Sequence, residues 1–314
     1  MNLIAPAESL SFVGDSRYST GIRADIARVG PEDCHVLVIG PTGTGKQVVT
    51  TALHAASGRR TLVRLAAPQL EGDVMRGELF GSTKGAYTDA DKDRSGFIEA
   101  AHGGTLVIDD TDTWSRRLQG MLLDVIEGRA LWPVGGGRSY LSNIRCIVCV
   151  QADPDRLVRA GFWRADLLYR LDQERIVLKP LGEHLDDIPA LCMALLDRLA
   201  LTREQQCPQL SRAAMARLMS HHWPGNVREL DSVLQRAFRR ARWAAGGAAV
   251  EWIGREHLAL PSVSAAGRRG KRVTLTREAM EQAIRGAAGS LRGAASVLGV
   301  STTTARRRAR ELGV

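Results

Sequence analysis

A short apolar run, His35–Ile39, feeds directly into Gly40-Pro-Thr-Gly-Thr-Gly-Lys46, and a helical pattern follows. That order constrains the fold more than any other feature of the chain. A strand, a glycine-rich turn and a helix in immediate succession form one unit of a parallel α/β sheet. The glycines let backbone N–H groups curl around phosphate oxygens, and the helix N-terminus adds positive potential. Gly40, Pro41, Thr42, Gly43, Thr44 and Gly45 are therefore read as a phosphate cradle, with Lys46 reaching between phosphates. The chain has 38 Arg and only five Lys. This position nevertheless keeps lysine, whose compact ammonium fits where a planar fork does not. Gln47 comes next, where such a loop ordinarily carries the Ser or Thr that holds Mg²⁺.

Four more apolar, β-branched runs recur with helical stretches between them: Thr61–Leu65, Thr105–Asp109, Arg145–Val150 and Arg175–Leu178. The alternation predicts a five-stranded parallel sheet covered on both faces. Gly103-Gly-Thr-Leu-Val-Ile-Asp109-Asp110 delivers two carboxylates at a strand end, Asp109 to hold Mg²⁺ and Asp110 to orient or deprotonate an attacking water. After Pro180 the strand pattern stops. Asp187–Leu201, Ser211–Ser220 and Asn226–Trp243 read as helices of a subdomain packed on the sheet. Pro261–Lys271 lacks bulky apolar groups and reads as a linker. The expected organisation is an α/β core over 1–180, a helical lid over 181–260, a linker over 261–272 and a last helical module over 273–314.

Net charge is +9, and its location matters more than its size. From Ser262 onward eleven basic residues face three acids, so the rest of the chain is nearly neutral. A basic module on a neutral body marks a polyanion partner. Leu291–Leu298 and Thr302–Leu312 flank Gly299-Val300 with the spacing of a helix-turn-helix, and Ser301 is a good N-cap. Ala305, Ala309 and Leu312 would pack inward. Thr302, Thr303 and Arg306 would then reach base edges of double-stranded DNA, and Arg307, Arg308 and Arg310 its phosphates. Five Cys at irregular spacings give no disulfide framework, and Cys146 and Cys149 fall on an apolar strand as core residues. No apolar run approaches the ~20 residues a membrane span needs, and the N-terminus carries no secretory pattern. A cytoplasmic protein with no membrane partner is expected.

With these residues in view, the chain resembles the bacterial enhancer-binding proteins, AAA+ activators of sigma-54-dependent transcription, over roughly residues 11–260. A Fis-type DNA-binding module follows. The shared residues are the phosphate loop at 40–46, Glu-Leu-Phe-Gly at 78–81, Gly-Ala-Tyr-Thr at 85–88, Gly-Gly-Thr-Leu at 103–106 with Asp109, Phe162–Leu171, and Trp-Pro-Gly-Asn-Val-Arg-Glu-Leu at 223–230. The resemblance implies ATP as cofactor and an ATPase that remodels sigma-54 RNA polymerase. It implies that Gly85, Ala86, Tyr87, Thr88, Asp89 and Ala90 touch the sigma factor. Arg164 and Arg170 become arginine fingers acting across a subunit boundary, which needs a ring, usually a hexamer. Arg228 becomes the nucleotide-sensing arginine of the lid, and the DNA module would sit on upstream enhancer sites. The expectation is the stand-alone type, with no receiver domain ahead of the motor.

Four positions depart from the family pattern. Asp89 replaces a Gly of the sigma-contacting loop, and Asp110 replaces a Glu one methylene longer. Ala66 stands where an Asn restrains that Glu, and Gln151 replaces the sensor Asn of the fourth strand. Acid and restraint change together, which points to a retuned hydrolytic switch. The rival expectation is a DNA-binding regulator whose AAA+ domain binds ATP, hydrolyses it weakly and acts without sigma-54. A replication or helicase-loading ATPase with its own DNA module is a third, and the insertion at 78–90 argues against it.

Overall fold

A computed structural model describes residues 12–66, 75–86, 92–109, 111, 114–202, 206–260 and 277–286, together with Ala294, Leu298, Arg306, Ala309 and Arg310. In chain order the elements are α1 (Arg17–Val29), β1 (Val36–Ile39), α2 (Lys46–Ala56), β2 (Leu62–Ala66), α3 (Met75–Phe80), α4 (Phe97–Ala100), β3 (Thr105–Asp109) and α5 (Arg116–Ile126). Then follow β4 (Arg145–Val150), α6 (Pro154–Arg159), α7 (Ala165–Leu171), β5 (Glu174–Val177), α8 (Ile188–Leu201), β6 (Gln209–Leu210), α9 (Arg212–Met219), α10 (Asn226–Ala244), β7 (Trp252–Ile253) and α11 (Arg277–Gly286). Five strands form one sheet in the order β2-β3-β4-β1-β5. All five expected strands are present, with ends shifted by a residue at most. β6 and β7 correct the expectation that strands stop after Pro180: they pair parallel over two residues each. Runs that short carry no readable period.

The chain divides into two compact units, with β1 and β5 each lending residues to both. The first holds α1, α2 and everything from β5 to β7. Its core gathers Ile188, Leu196, Leu218, Trp223, Leu230 and Phe238. Along α10, Leu230, Val233, Leu234, Ala237, Phe238 and Ala241 are buried, the i, i+3, i+4 stripe that makes this long helix amphipathic. Ser211 caps α9 by accepting from Ala214 N at 3.1 Å, and the Ser16 hydroxyl caps α1 in the same way. Helix α8 starts at Ile188 rather than Asp187, because Leu185–Asp187 form a tight 3₁₀ turn before it.

The second unit holds β2, β3, β4, the helices between them and α11. β2 and β3 run parallel with Ala66 opposite Asp109, and β3 and β4 with Ile108 opposite Val148. Every residue of β4 is buried, including Arg145, whose Nε donates to Cys34 O at 3.0 Å. Cys146, Cys149 and Cys192 are buried, and burial pushes the Cys146 and Cys192 thiols up to about 12. We therefore expect an aromatic disulfide reagent to label the half-buried Cys34 first in the native protein. Cys146, Cys149 and Cys192 should react only on unfolding, and mass mapping of labelled peptides checks the order. Rapid labelling of Cys146 in the native state would contradict its place in the core.

Candidate nucleotide site and arginine edge

In the first unit the phosphate loop runs from β1 into α2 as the sequence predicts. Gly43 and Gly45 have φ of +84° and +100°, which an L side chain adopts only with strain. Space forbids a side chain at Gly43 as well: a Cβ there would lie 2.5 Å from Gly225 O and 3.1 Å from Arg228 Cβ. Lys46 Nζ donates to Gly40 O at 2.6 Å and to Pro41 O at 3.2 Å. Thr44 Oγ1 donates to Pro41 O at 2.9 Å, pinning the loop from within. Gln47 lies in the first turn of α2, and its carbonyl accepts from Thr50 and Thr51 hydroxyls.

The lid meets this loop directly. Asn226 Nδ2 donates to Thr42 O at 2.9 Å, while its Oδ1 accepts from Leu181 N at 2.8 Å. Asn226 is 2% exposed and has φ of +54°, a left-handed conformation that Asn tolerates better than most residues. Its neighbour Trp223, at φ +50°, is held by its indole N–H on Leu218 O at 3.0 Å and its amide on His221 Nδ1 at 3.1 Å. Arg228, in the first turn of α10, is thereby set beside Gly43. Phe12, which the sequence reading missed, lies next to the same loop: a Cβ on Gly45 would sit 3.4 Å from its ring.

The second unit presents the acids and arginines. Asp109 ends β3 half-buried, and Ala66 sits in register with it. A methyl group cannot hydrogen-bond a carboxylate, so this position supplies no restraint. Arg64, two residues earlier on β2, was also missed, although a lone charge in Leu62–Ala66 was its visible signal. Burial pushes its pKa down, while Asp109 and Cys149 pull it back up. Burial wins, so the pKa of this half-buried cation is lowered. Gln151 follows β4 and is half-buried. Asp110 lies outside the described residues.

Arg164 caps α7 and is 37% exposed, with its guanidinium forked onto Asp166 at 3.0 and 2.6 Å. That pair raises the Arg164 pKa and lowers that of Asp166. Arg170, 62% exposed, lies 3.5 Å from Glu127. The base of the insertion is stapled: Ser82 and Arg94 exchange backbone hydrogen bonds at 2.9 and 2.8 Å, and Thr83 N donates to Val134 O at 2.9 Å. Gly85 turns the chain with φ +81°, and Ala86 N returns to Thr83 O at 3.1 Å. Tyr87, Thr88, Asp89 and Ala90 lie outside the described residues, as do Thr302, Thr303, Arg307 and Arg308. Arg306 and Arg310 are exposed and Ala309 is buried. Among the described residues no helix is long and apolar enough to cross a membrane.

A parallel sheet in this order, with a phosphate loop after β1 and a helical lid bonded to it, defines an AAA+ nucleotide-binding fold. The chain belongs to the sigma-54 interaction domain family, whose model matches residues 12–177, and the AAA+ ATPase lid domain matches residues 182–251. It is 38% identical over 234 residues to the transcriptional regulatory protein ZraR of Klebsiella oxytoca, covering 74% of this chain and 53% of that protein. It is also 38% identical to the C4-dicarboxylate transport transcriptional regulatory protein DctD of Rhizobium meliloti, covering 74% of this chain and 51% of that protein. The chain thus spans about half the length of the curated relatives it matches. Crystallised NtrX of Brucella abortus in complex with ADP superimposes with a TM-score of 0.70 at 26% identity, covering 98% of this chain and 70% of NtrX. NtrX in complex with ATP gives 0.69.

Proposed function

We propose that this protein is a bacterial sigma-54-dependent transcriptional activator that binds ATP between phosphate loop and lid and hydrolyses it in a ring, most simply a hexamer. The observation that carries the reading is the family match over 12–177, which contains both the phosphate loop and the 78–90 insertion. The Asn226–Thr42 bond supports it by tying the lid to the loop that would hold the triphosphate. Lys46 would neutralise phosphate charge, and Arg228 would sense the nucleotide. Asp110 would prepare the water, and Gln151 would take the sensor role. Asp109 supplies a hard carboxylate oxygen of the kind Mg²⁺ takes together with substrate phosphates, and it is the residue that would hold the ion.

Arg164 and Arg170 are exposed enough to reach a neighbouring protomer, and Gly85–Ala90 would carry the motion to sigma-54 RNA polymerase. The basic segment beyond 261, with Arg306 and Arg310 exposed, would anchor the assembly on upstream double-stranded DNA. The division into 1–180, 181–260, 261–272 and 273–314 follows as motor core, lid, linker and DNA module. ATPase activity measured across a protein-concentration series tests the shared site: turnover per protomer should rise as the ring assembles.

A second reading rests on Arg64 and Ala66. A half-buried cation on the strand beside β3 and a methyl at the restraining position, in register with Asp109, fit a domain in which ATP sets oligomeric state and turnover is slow. In vitro transcription with purified polymerase, with and without sigma-54, separates the two. Activation that requires sigma-54 and ATP supports the first reading, and sigma-54-independent activation supports the second.

A further inference from the structure

We infer that Gln119, on α5, is the positioning residue that sets the backbone of Arg164. This rests on the reading that Arg164 acts on a neighbour's nucleotide. Gln119 is fully buried, an unusual place for a carboxamide unless both ends are used. Its Nε2 donates to Phe162 O at 2.8 Å and to Trp114 O at 3.2 Å, and its Oε1 accepts the Arg164 amide at 2.8 Å. One side chain therefore grips the residues on both sides of Trp163.

Trp163 is fixed in turn, stacked on Trp114 with ring centroids 5.9 Å apart. Its indole N–H donates to Thr111 O at 3.2 Å, and Thr111 Oγ1 donates to Cys149 O at 3.0 Å. Thr111 lies two positions beyond Asp109, and Cys149 lies near the end of β4. The Arg164 backbone is thus tied, through Trp163 and the buried hydrogen bonds of Thr111, to the ends of β3 and β4. Asp166 then aims the guanidinium. The hydrogen bonds described for Gln119 run to Trp114, Phe162 and Arg164, so its effect falls on the arginine.

The test uses Gln119→Met, of similar length and without hydrogen-bonding ends. We expect kcat for ATP to fall by about tenfold to a hundredfold, the cost of an ångström-scale misplacement, with KM changed by no more than about twofold. Mixed with Lys46→Ala protein, whose Arg164 is intact, the variant should turn over faster than the mean of the two proteins assayed alone. A defect in the variant's own phosphate site could not be rescued by a protomer that lacks a working one, so the absence of rescue overturns the inference.

Gln119→Glu gives a second signature. Its buried carboxyl takes up a proton readily and then both donates and accepts, so its deficit should shrink as pH falls. Amide hydrogen exchange needs no turnover. The Arg164 amide should lose protection in Gln119→Met while interior amides of α5 keep theirs. Unchanged Arg164 protection overturns the positioning role even if wild-type protein proves inactive, and that inactivity would instead sink the ring-ATPase reading.

Discussion

Lys46→Ala should abolish nucleotide-driven activity while leaving the fold in place. Lys46 is the first residue of α2, where alanine is a better helix former, and its ammonium donates to carbonyls of its own loop. Those contacts hold the ammonium at the mouth of the loop, where triphosphate oxygens would be stronger, charged acceptors. Hydrogen bonds to charged groups contribute about 1.5–3 kcal/mol each, so ATP affinity should drop by about ten- to a hundredfold. Turnover should fall further, because an ammonium lodged between phosphates also stabilises the charge that develops in the transition state. Lys46→Arg should rescue little, since a planar fork does not fit where a point charge is required. Equilibrium binding of a fluorescent ATP analogue and transcription from a sigma-54 promoter would measure both effects. Unchanged transcription by the alanine variant would remove ATP from the mechanism.

The parts legible in the sequence share a physical cause. β1, β3 and β4 are buried on both faces and so read as unbroken apolar runs. The phosphate loop was legible because only glycine supplies its two left-handed turns, and α10 because its buried stripe repeats with the helical period. What escaped notice depends on partners far away in sequence. Nothing local says that Gln119 will be buried against Phe162 and Arg164, or that Phe12 will approach Gly45. Arg64 was visible as a charge in an apolar strand, yet its meaning comes from Asp109, 45 positions later and one strand over. The β6–β7 pair exists only because the lid folds back to join them. Sequence pattern thus revealed the binding chemistry, whereas the side chains that aim it emerge only from packing.

Asp187 is the sharpest case of a residue known only from its partners, and removing it should cost the most stability. It is fully buried and sits 171 positions from the residue whose amide it binds. Its carboxylate accepts from Ser16 N at 2.7 Å, Ser16 Oγ at 2.8 Å and Ser19 Oγ at 2.7 Å, with His184 Nδ1 at 2.9 Å. His184 also packs against Tyr18, ring centroids 4.4 Å apart. The cluster fastens the start of α1 to the turn that opens the lid helices. Burial alone would raise the Asp187 pKa, but the bonds from Ser19, Ser16 and His184 outweigh it and hold the carboxyl below its usual value. Asp187→Ala leaves the buried Ser19 hydroxyl and the half-buried Ser16 and His184 donors without their acceptor, so unfolding stability should fall by about 3–5 kcal/mol. With urea m-values of about 1–3 kcal/mol per molar, the midpoint should move by at least about 1 M. Asp186→Ala, at the exposed neighbouring position, serves as the control and should move it little. Because the folded-state pKa is depressed, the contribution is fully present above the unfolded value near 3.9 and is lost as pH falls through the lower folded value. The gap between wild type and Asp187→Ala should therefore close as pH falls below about 4. A midpoint no lower than that of Asp186→Ala would show that the buried carboxylate does not hold α1 to the lid.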